Sequence, residues 1–429
     1  MRRRNEYELI RHANKSRGKD VAKIVSMVVV MMLSAIVILW YVGSVVNSDG
    51  GGIFANLTRD TQQPLDDLSD YAYQDMPTEP PARVEPAGDV VLTGINYAQQ
   101  GGAFELPMYG ATGWAAVRLP VRSGPGPGYG ILLTVDAGHG FTILDTSGNW
   151  WYVEVNKSLS GWVDHRGCFI NLPDIIPSII FQNTNASGSI MVSIGYDIPG
   201  VTGEILHNAR AFNERLGRDE YIVPGMYSLA RDLFAAQQAA LADNNTIIVN
   251  EVFRPASAQS AVVQGMNTLM SRNNYVRNAV TGGQWNLGWF ISTGVSNHQR
   301  GAAVDVSLAR ISTYEYRQTG DFIYRHVVDY REYPMPSCMH ELSPRAAIVY
   351  SPTTISPAQL VSGDFAMTDS MTPGARRLQV LFGGAGFTPL ASEWWHFNHP
   401  DSVAVANTMG IRGEFYTDSV YSRTPVGLE

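Results

Sequence analysis

A chain of 429 residues, 45% apolar and 16% charged, is too long for one ordinary core and too apolar for disorder, so two or more packed domains are expected. The net charge of −8 is divided unevenly: residues 1–23 carry eight Arg/Lys against three Asp/Glu, which leaves −13 on the remainder. A surface of that sign argues against nucleic acid as a partner.

Residues 24–46 (IVSMVVVMMLSAIVILWYVGSVV) run for 23 positions without a charge, long enough to span a bilayer. A buried core helix is rarely apolar on every face for so long. A cleaved signal peptide has a shorter apolar region, about 7–15 residues, with a small-x-small site after it. Arg2, Arg3, Arg4, Arg11, Lys15, Arg17, Lys19 and Lys23 place the N-terminal segment 1–23 in the cytoplasm. The expectation is a single-pass plasma-membrane helix with everything after it outside the cell. Segment 47–110 includes SDGGG and PTEPPARVEP and reads as a partly extended linker, with a short ordered stretch around GINYAQQ.

From 111 to 171 the texture changes to short β-type runs between glycine turns: WAAVRLPVRSGPGPGYG, FTILDTSGNWWYVEV and SGWVDHRGCFINL. TSGN between two alternating runs signals a hairpin, and Trp150, Trp151 and Trp162 offer bulk for a small barrel. The VRSGP entry, the W-x-x-V run and the closing GWV resemble the bacterial SH3-like domain. That resemblance implies a barrel that binds cell-wall peptide or packs against a neighbouring enzyme; the alternative is a barrel that serves only as a structural spacer. His139 and His165 are expected at its surface.

Residues 172–415 read as one α+β domain, followed by a tail at 416–429. Helical periodicity covers 226–242, and a turn and β-run follow in NNTIIVNEVF, ending at Arg254–Pro255. A second helix is expected over 256–272, AAVDVSLA as a short strand, and a helix over 375–382. Cys168 and Cys338 suit an exported protein and read equally as one bridge or as two free buried thiols.

Two stretches carry chemistry. In SNHQRGAAVD, His298 and Asp305 are seven apart, an odd gap that one regular strand would send to opposite faces. A turn at Gly301 removes that objection. The pair reads either as two ligands of one metal or as a buried histidine on an aspartate. EWWHF adds Glu393 and His396, which share a face on a helix and oppose each other on a strand; the aromatic residues around them favour an extended or bent segment. Two histidines and one carboxylate match a catalytic zinc site, which takes three protein ligands and leaves a position for water. An additional glutamate could accept that water's proton.

S-x-H-x-x-G-x-A-x-D, present as Ser296, His298, Gly301, Ala303 and Asp305, followed by E-x-W-H at Glu393, Trp395 and His396, resembles the signature of the zinc D,D-peptidases. EWWHF preceded by RRLQVLFGGAGFTPL, with INLPDIIPSIIFQNTNASGS and GYDIPGVTG earlier, looks most like the D-alanyl-D-alanine dipeptidases of the vancomycin-resistance type. The likeness covers roughly residues 168–400. It implies a hedgehog/D,D-peptidase-like α+β catalytic domain holding one Zn2+ on His298, Asp305 and His396. It further implies Glu393 as the base that later protonates the leaving amine, and Arg254 in VFRP as the group polarising the scissile carbonyl. Ser296 would lie near the substrate carboxylate. The implied activity is hydrolysis of D-alanyl-D-alanine in cell-wall peptide metabolism. Two alternatives are a D,D-carboxypeptidase trimming peptidoglycan stem peptides and a non-catalytic, zinc-containing wall-binding protein. His207, His326, His340 and His399 are expected to be no ligands. Much of 311–360 reads as an insertion without a clear match to the family's substrate-ammonium acid, for which Asp364 and Asp369 are the candidates.

Overall fold

The computed structural model describes residues 80–84, 92–425 and 427. The expected membrane span at 24–46 lies outside them, and among the described residues no helix is long and apolar enough to cross a membrane. What is described is an α+β assembly containing a small barrel.

The barrel strands are β1 (Thr112–Ala115), β2 (Leu119–Arg122), β3 (Ile131–Val135), β4 (Gly140–Ser147), β5 (Trp150–Asn156), β6 (Leu159–Asp164) and β7 (Cys168–Asn171). In β5, alternate residues are buried, as expected for a strand with one face on a core. The TSGN turn joins β4 to β5, and Gly148 takes the positive φ of 58° that it demands. Trp151 is buried in the core as expected. Trp150 and Trp162 are only half-buried, and Trp114 is the other large core tryptophan.

The rest comprises β8 (Pro224–Met226), α1 (Tyr227–Ala242), β9 (Asn245–Glu251), α2 (Ala256–Arg272), α3 (Asn274–Thr281), β10 (Ala303–Thr319), β11 (Phe322–Glu332), α4 (Pro357–Ser362), α5 (Pro373–Gly384), β12 (Thr388–Leu390), β13 (Glu393–Asn398) and α6 (Pro400–Met409). Helix α5 starts earlier than its periodicity suggests, because Thr372 caps the backbone of Ala375 and Pro373 fits the first turn. The main sheet runs β12-β13-β10-β9 and continues to Ile180–Phe181, with β11 and Ala82–Arg83 also paired to β10. AAVDVSLA is the start of a strand much longer than expected. β11 pairs with it from Ala309 to Thr319, so the first part of the supposed insertion is a long hairpin.

The boundary at 171/172 does not separate two bodies. β8 pairs with β7 and so extends the barrel sheet to eight strands, and one apolar core runs through both parts. Phe169 of β7 stacks near Phe253 and Phe415, with ring centroids 5.3 and 5.9 Å away. His165 is consequently buried, not superficial: it lies stacked on Trp151 at 5.1 Å and edge-on to Tyr227 of α1 at 4.9 Å. His139 is exposed, as expected. The tail is not loose either. Ser422 donates to the buried Asp174 at 2.6 Å, and the Tyr421 N–H donates to Thr112 Oγ1 at 2.8 Å. Both cysteines are free, Cys168 buried and Cys338 exposed.

Part of the expected linker is core. A short 3-10 turn at Ala98–Gln100 matches the ordered stretch foreseen, but Phe104 and Leu106 beyond it are fully buried. Between them Glu105 accepts from the Ser178 N–H at 2.9 Å and from Gln238 Nε2 at 2.9 Å. Burial outweighs these bonds and pushes its carboxyl up to about 7 from 4.5. The folded state therefore holds this proton more tightly than the unfolded chain does. Stability should fall as pH rises from 4.5 towards 7, by roughly 3 kcal/mol at about 1.4 kcal/mol per pH unit. Urea unfolding midpoints of the native chain and of Glu105→Gln, taken between pH 4.5 and 8, check this. The variant's profile should be flatter across that window, because an amide has no proton to lose.

Candidate metal centre

Strand register builds most of the site. Asp305 on β10 lies opposite Glu251 on β9 and opposite His396 on β13, so three adjacent strands present these side chains in one row. His298 joins from the loop before β10. Its turn closes through the Gly301 N–H bonding to the His298 carbonyl at 3.0 Å, and Gly301 takes φ 59°. The chain thus folds back and sets His298 Nε2 3.3 Å from Asp305 Oδ1. A side chain at 301 would meet a barrel residue, since a Cβ there would stand 2.7 Å from the Phe169 ring. Gly301→Ala should therefore cost roughly 1–3 kcal/mol from overpacking plus about 1 kcal/mol for the left-handed backbone. It should also weaken metal binding; urea midpoints and chelator competition measure the two effects.

Glu393 and His396, which a regular strand would separate, converge because β13 is irregular. Its pairing with β12 jumps from Pro389 opposite Phe397 to Leu390 opposite Glu393. Trp394, Trp395 and His396 take up the extra length, and Glu393 Oε2 comes within 3.9 Å of His396 Nδ1.

His298 Nε2, Asp305 Oδ1 and His396 Nδ1 form one buried trio. Their separations are 3.3 Å, 2.9 Å and 3.1 Å. Donors about 2.0–2.1 Å from a tetrahedral zinc stand about 3.3 Å from one another, so this trio is the right size for zinc. The outer nitrogen of each histidine is tied down. His298 Nδ1 faces the Val252 carbonyl at 2.9 Å, and His396 Nε2 faces Asn398 Oδ1 at 3.1 Å. Such bonds fix the tautomer that leaves the inner nitrogen free to coordinate. Burial would raise the Asp305 carboxyl, but His298, His340 and His396 outweigh it and hold it well below its ordinary range. Asp305 is therefore a carboxylate.

The trio opens into a cavity of about 180 Å³ walled by Trp289, Phe290, Leu342 and Trp395, with Ser296 and Asn297 at its polar side. Glu393 lines it without belonging to the trio. Burial pushes the Glu393 carboxyl up to about 8, against the opposing pull of His396 and Arg254. Arg254 also lines the cavity, but it is committed elsewhere. It grips Glu251 through Nε at 2.8 Å and through Nη2, and Gln259 through Nη1 at 2.9 Å. Glu251 is held in turn by Asn185 Nδ2 at 2.6 Å. Ser296 accepts the backbone N–H of His298 at 3.2 Å, so its first visible task is to shape the turn.

Sequence reasoning brought together the residues that do meet, and it missed several. His340, expected to be no ligand, is buried against Asp305 Oδ2 at 3.0 Å. Glu251, Gln259 and Asn398 also escaped notice, because no spacing rule links them to the trio. Glu251 does lie three residues before Arg254, and a buried arginine needs such a partner. His399 caps α6 and faces Asp232 at 2.7 Å, while His326 faces Arg218 at 3.2 Å. Neither joins the centre, nor does His207. Asp364 and Asp369 are exposed and lie outside the cavity wall.

Comparison with known families identifies one segment: residues 117–167 match the bacterial SH3 domain, in agreement with the barrel. No curated protein matches the chain.

Proposed function

We propose that this chain is a zinc-dependent peptidase of the D,D-peptidase type, cleaving the bond between two D-alanine residues of cell-wall peptide outside the plasma membrane. The observation that carries this reading is Glu393: a buried carboxyl beside a zinc-sized His298–Asp305–His396 trio, facing the same cavity and not part of the trio. A structural zinc site has no use for such a group. The chemistry that zinc supplies there, when bound, is Lewis acidity and a water acidified towards neutrality.

The chain's own residues account for the rest. As water adds to the scissile carbonyl carbon, Glu393, which a dication held by the trio would draw down to its carboxylate form, takes the water's proton and returns it to the nitrogen as the C–N bond breaks. Water is consumed and an acid and an amine are released. Arg254, braced by Glu251 and Gln259, sets a fixed positive charge on the wall where the carbonyl oxygen gains negative charge. Trp289, Phe290 and Trp395 give the cavity an apolar wall that suits small apolar side chains. The SH3 barrel suits retention at the wall, and residues 24–46 suit the anchor.

The cavity favours a stem peptide over the free dipeptide. Among the described residues, the only carboxylates lining it are Asp305 and Glu393, and both have other duties. A free dipeptide would bring an ammonium next to the reacting bond with no acid to receive it, and an unpaired buried charge is costly. In a stem peptide that nitrogen is a neutral amide. The test is to incubate the zinc-loaded chain with D-Ala-D-Ala and with a pentapeptide ending in it. Release of D-alanine from the pentapeptide alone is expected. Cleavage of the dipeptide alone reverses the specificity, and cleavage of neither at full zinc occupancy leaves a wall-binding protein.

A further inference from the structure

We propose that His340 is a positioning residue of the metal centre, bonding the outer oxygen of Asp305 so that only the inner oxygen is offered to the ion. This rests on the metal-centre reading above. The Asp305 carboxylate is shared out by side. Oδ1 faces His396 at 2.9 Å and His298 at 3.3 Å. Oδ2 takes the His340 Nε2–H at 3.0 Å, with Arg254 Nη2 at 3.6 Å. Without a donor on Oδ2 the carboxylate could turn about its last bond and present either oxygen. With His340 in place it presents one.

His340 also lies in a second trio, with Glu251 and Asp305, of a size that could hold a metal. That place already has its cation. The Arg254 guanidinium grips Glu251 and stands 3.6 Å from Asp305 Oδ2, and a dication beside it would meet strong repulsion. His340 therefore serves the first trio through Asp305.

The fold pays to keep His340 there. Its backbone sits at φ 61°, a left-handed conformation that is unfavourable for a residue other than glycine. Its Nδ1 is buried with no hydrogen-bond partner among the described residues, an unfavourable state for a polar atom. Its neighbours hold it in place. Its carbonyl accepts the Val192 N–H at 3.2 Å, and its ring stands edge-on to Trp395 at 6.1 Å. The next residue, Glu341, anchors the Ile194 N–H at 2.5 Å. The orphaned nitrogen is not explained by packing alone, since a phenyl ring could fill the same space without it.

The test separates the hydrogen bond from the ring. His340→Phe keeps the ring and loses the donor; His340→Gln keeps a donor near the position of Nε2 and loses the ring. Zinc affinity of the full chain is measured by chelator competition, with urea midpoints to confirm folding. His340→Phe should bind zinc about 10–100-fold more weakly, the usual cost of losing a partner behind a ligand, and His340→Gln should restore most of it. The proposal is overturned if the two variants are equally weak, if the glutamine variant is the weaker, or if both bind as the native chain does. His340→Gly relieves the backbone and should behave like the phenylalanine variant; it decides the matter if that variant does not fold. A native chain that holds zinc and cleaves no peptide removes the peptidase reading and leaves this one standing.

Discussion

Glu393→Ala should retain its zinc and lose about 10²–10⁴-fold in turnover, the range that a positioned acid–base group supplies. The metal stays because the trio of His298, Asp305 and His396 does not include residue 393. Turnover falls because, among the described residues, no other uncommitted carboxyl lines the cavity: Asp305 is held as a carboxylate by three histidines. Glu393→Gln should fail nearly as badly, since an amide of the same shape cannot take the proton. That variant isolates chemistry from packing, which matters because Glu393 is only 5% exposed and the alanine leaves a hole. Initial rates on the pentapeptide together with elemental analysis read both quantities. Loss of zinc from either variant would make Glu393 a ligand and undo its assignment as the base.

His396→Ala should lose metal and activity together. It removes one of three donors and also frees Asp305 Oδ1, which faces His396 Nδ1 at 2.9 Å. The fall in zinc affinity should exceed the roughly 10–100-fold cost of losing a partner behind a ligand. The control is three residues away. His399 caps α6 by accepting the Ser402 N–H at 3.2 Å and never approaches the trio. His399→Ala should therefore keep its zinc and its rate, while losing about 1 kcal/mol of stability for the cap and more for the lost Asp232 bond and buried ring. Retention of zinc by His396→Ala with its loss from His399→Ala would exchange the two roles.

How much of this was legible without coordinates follows from the range over which each signal acts. Helices α1 and α2 stood out because apolar periodicity and helix-forming residues are local properties, and the TSGN hairpin because a two-residue turn demands a glycine at Gly148. The three donors of the trio were legible as residue types in a spaced pattern. That Gly301 would bend His298 back towards Asp305 followed from the odd gap between them.

Contacts across long stretches of chain were decided only in three dimensions. Whether Glu393 could reach the trio depended on the irregular pairing of β13 with β12, which no spacing encodes. His340 lies 35 residues beyond Asp305, and only the return of the chain after the β10–β11 hairpin brings it to Oδ2. Segment 92–110 looked like linker because proline and glycine are counted locally, whereas Phe104 and Leu106 are buried by surfaces far along the chain. That the barrel sheet takes a strand from beyond residue 172 was hidden for the same reason. Met226 was expected to open a helix, yet residues 224–226 pair with the barrel edge at 169–171. The sequence by itself determined the local elements and the chemical inventory of the site. Tertiary structure decided which donors share a cavity and which partners hold them, because those contacts depend on register and packing between segments that composition and periodicity do not connect.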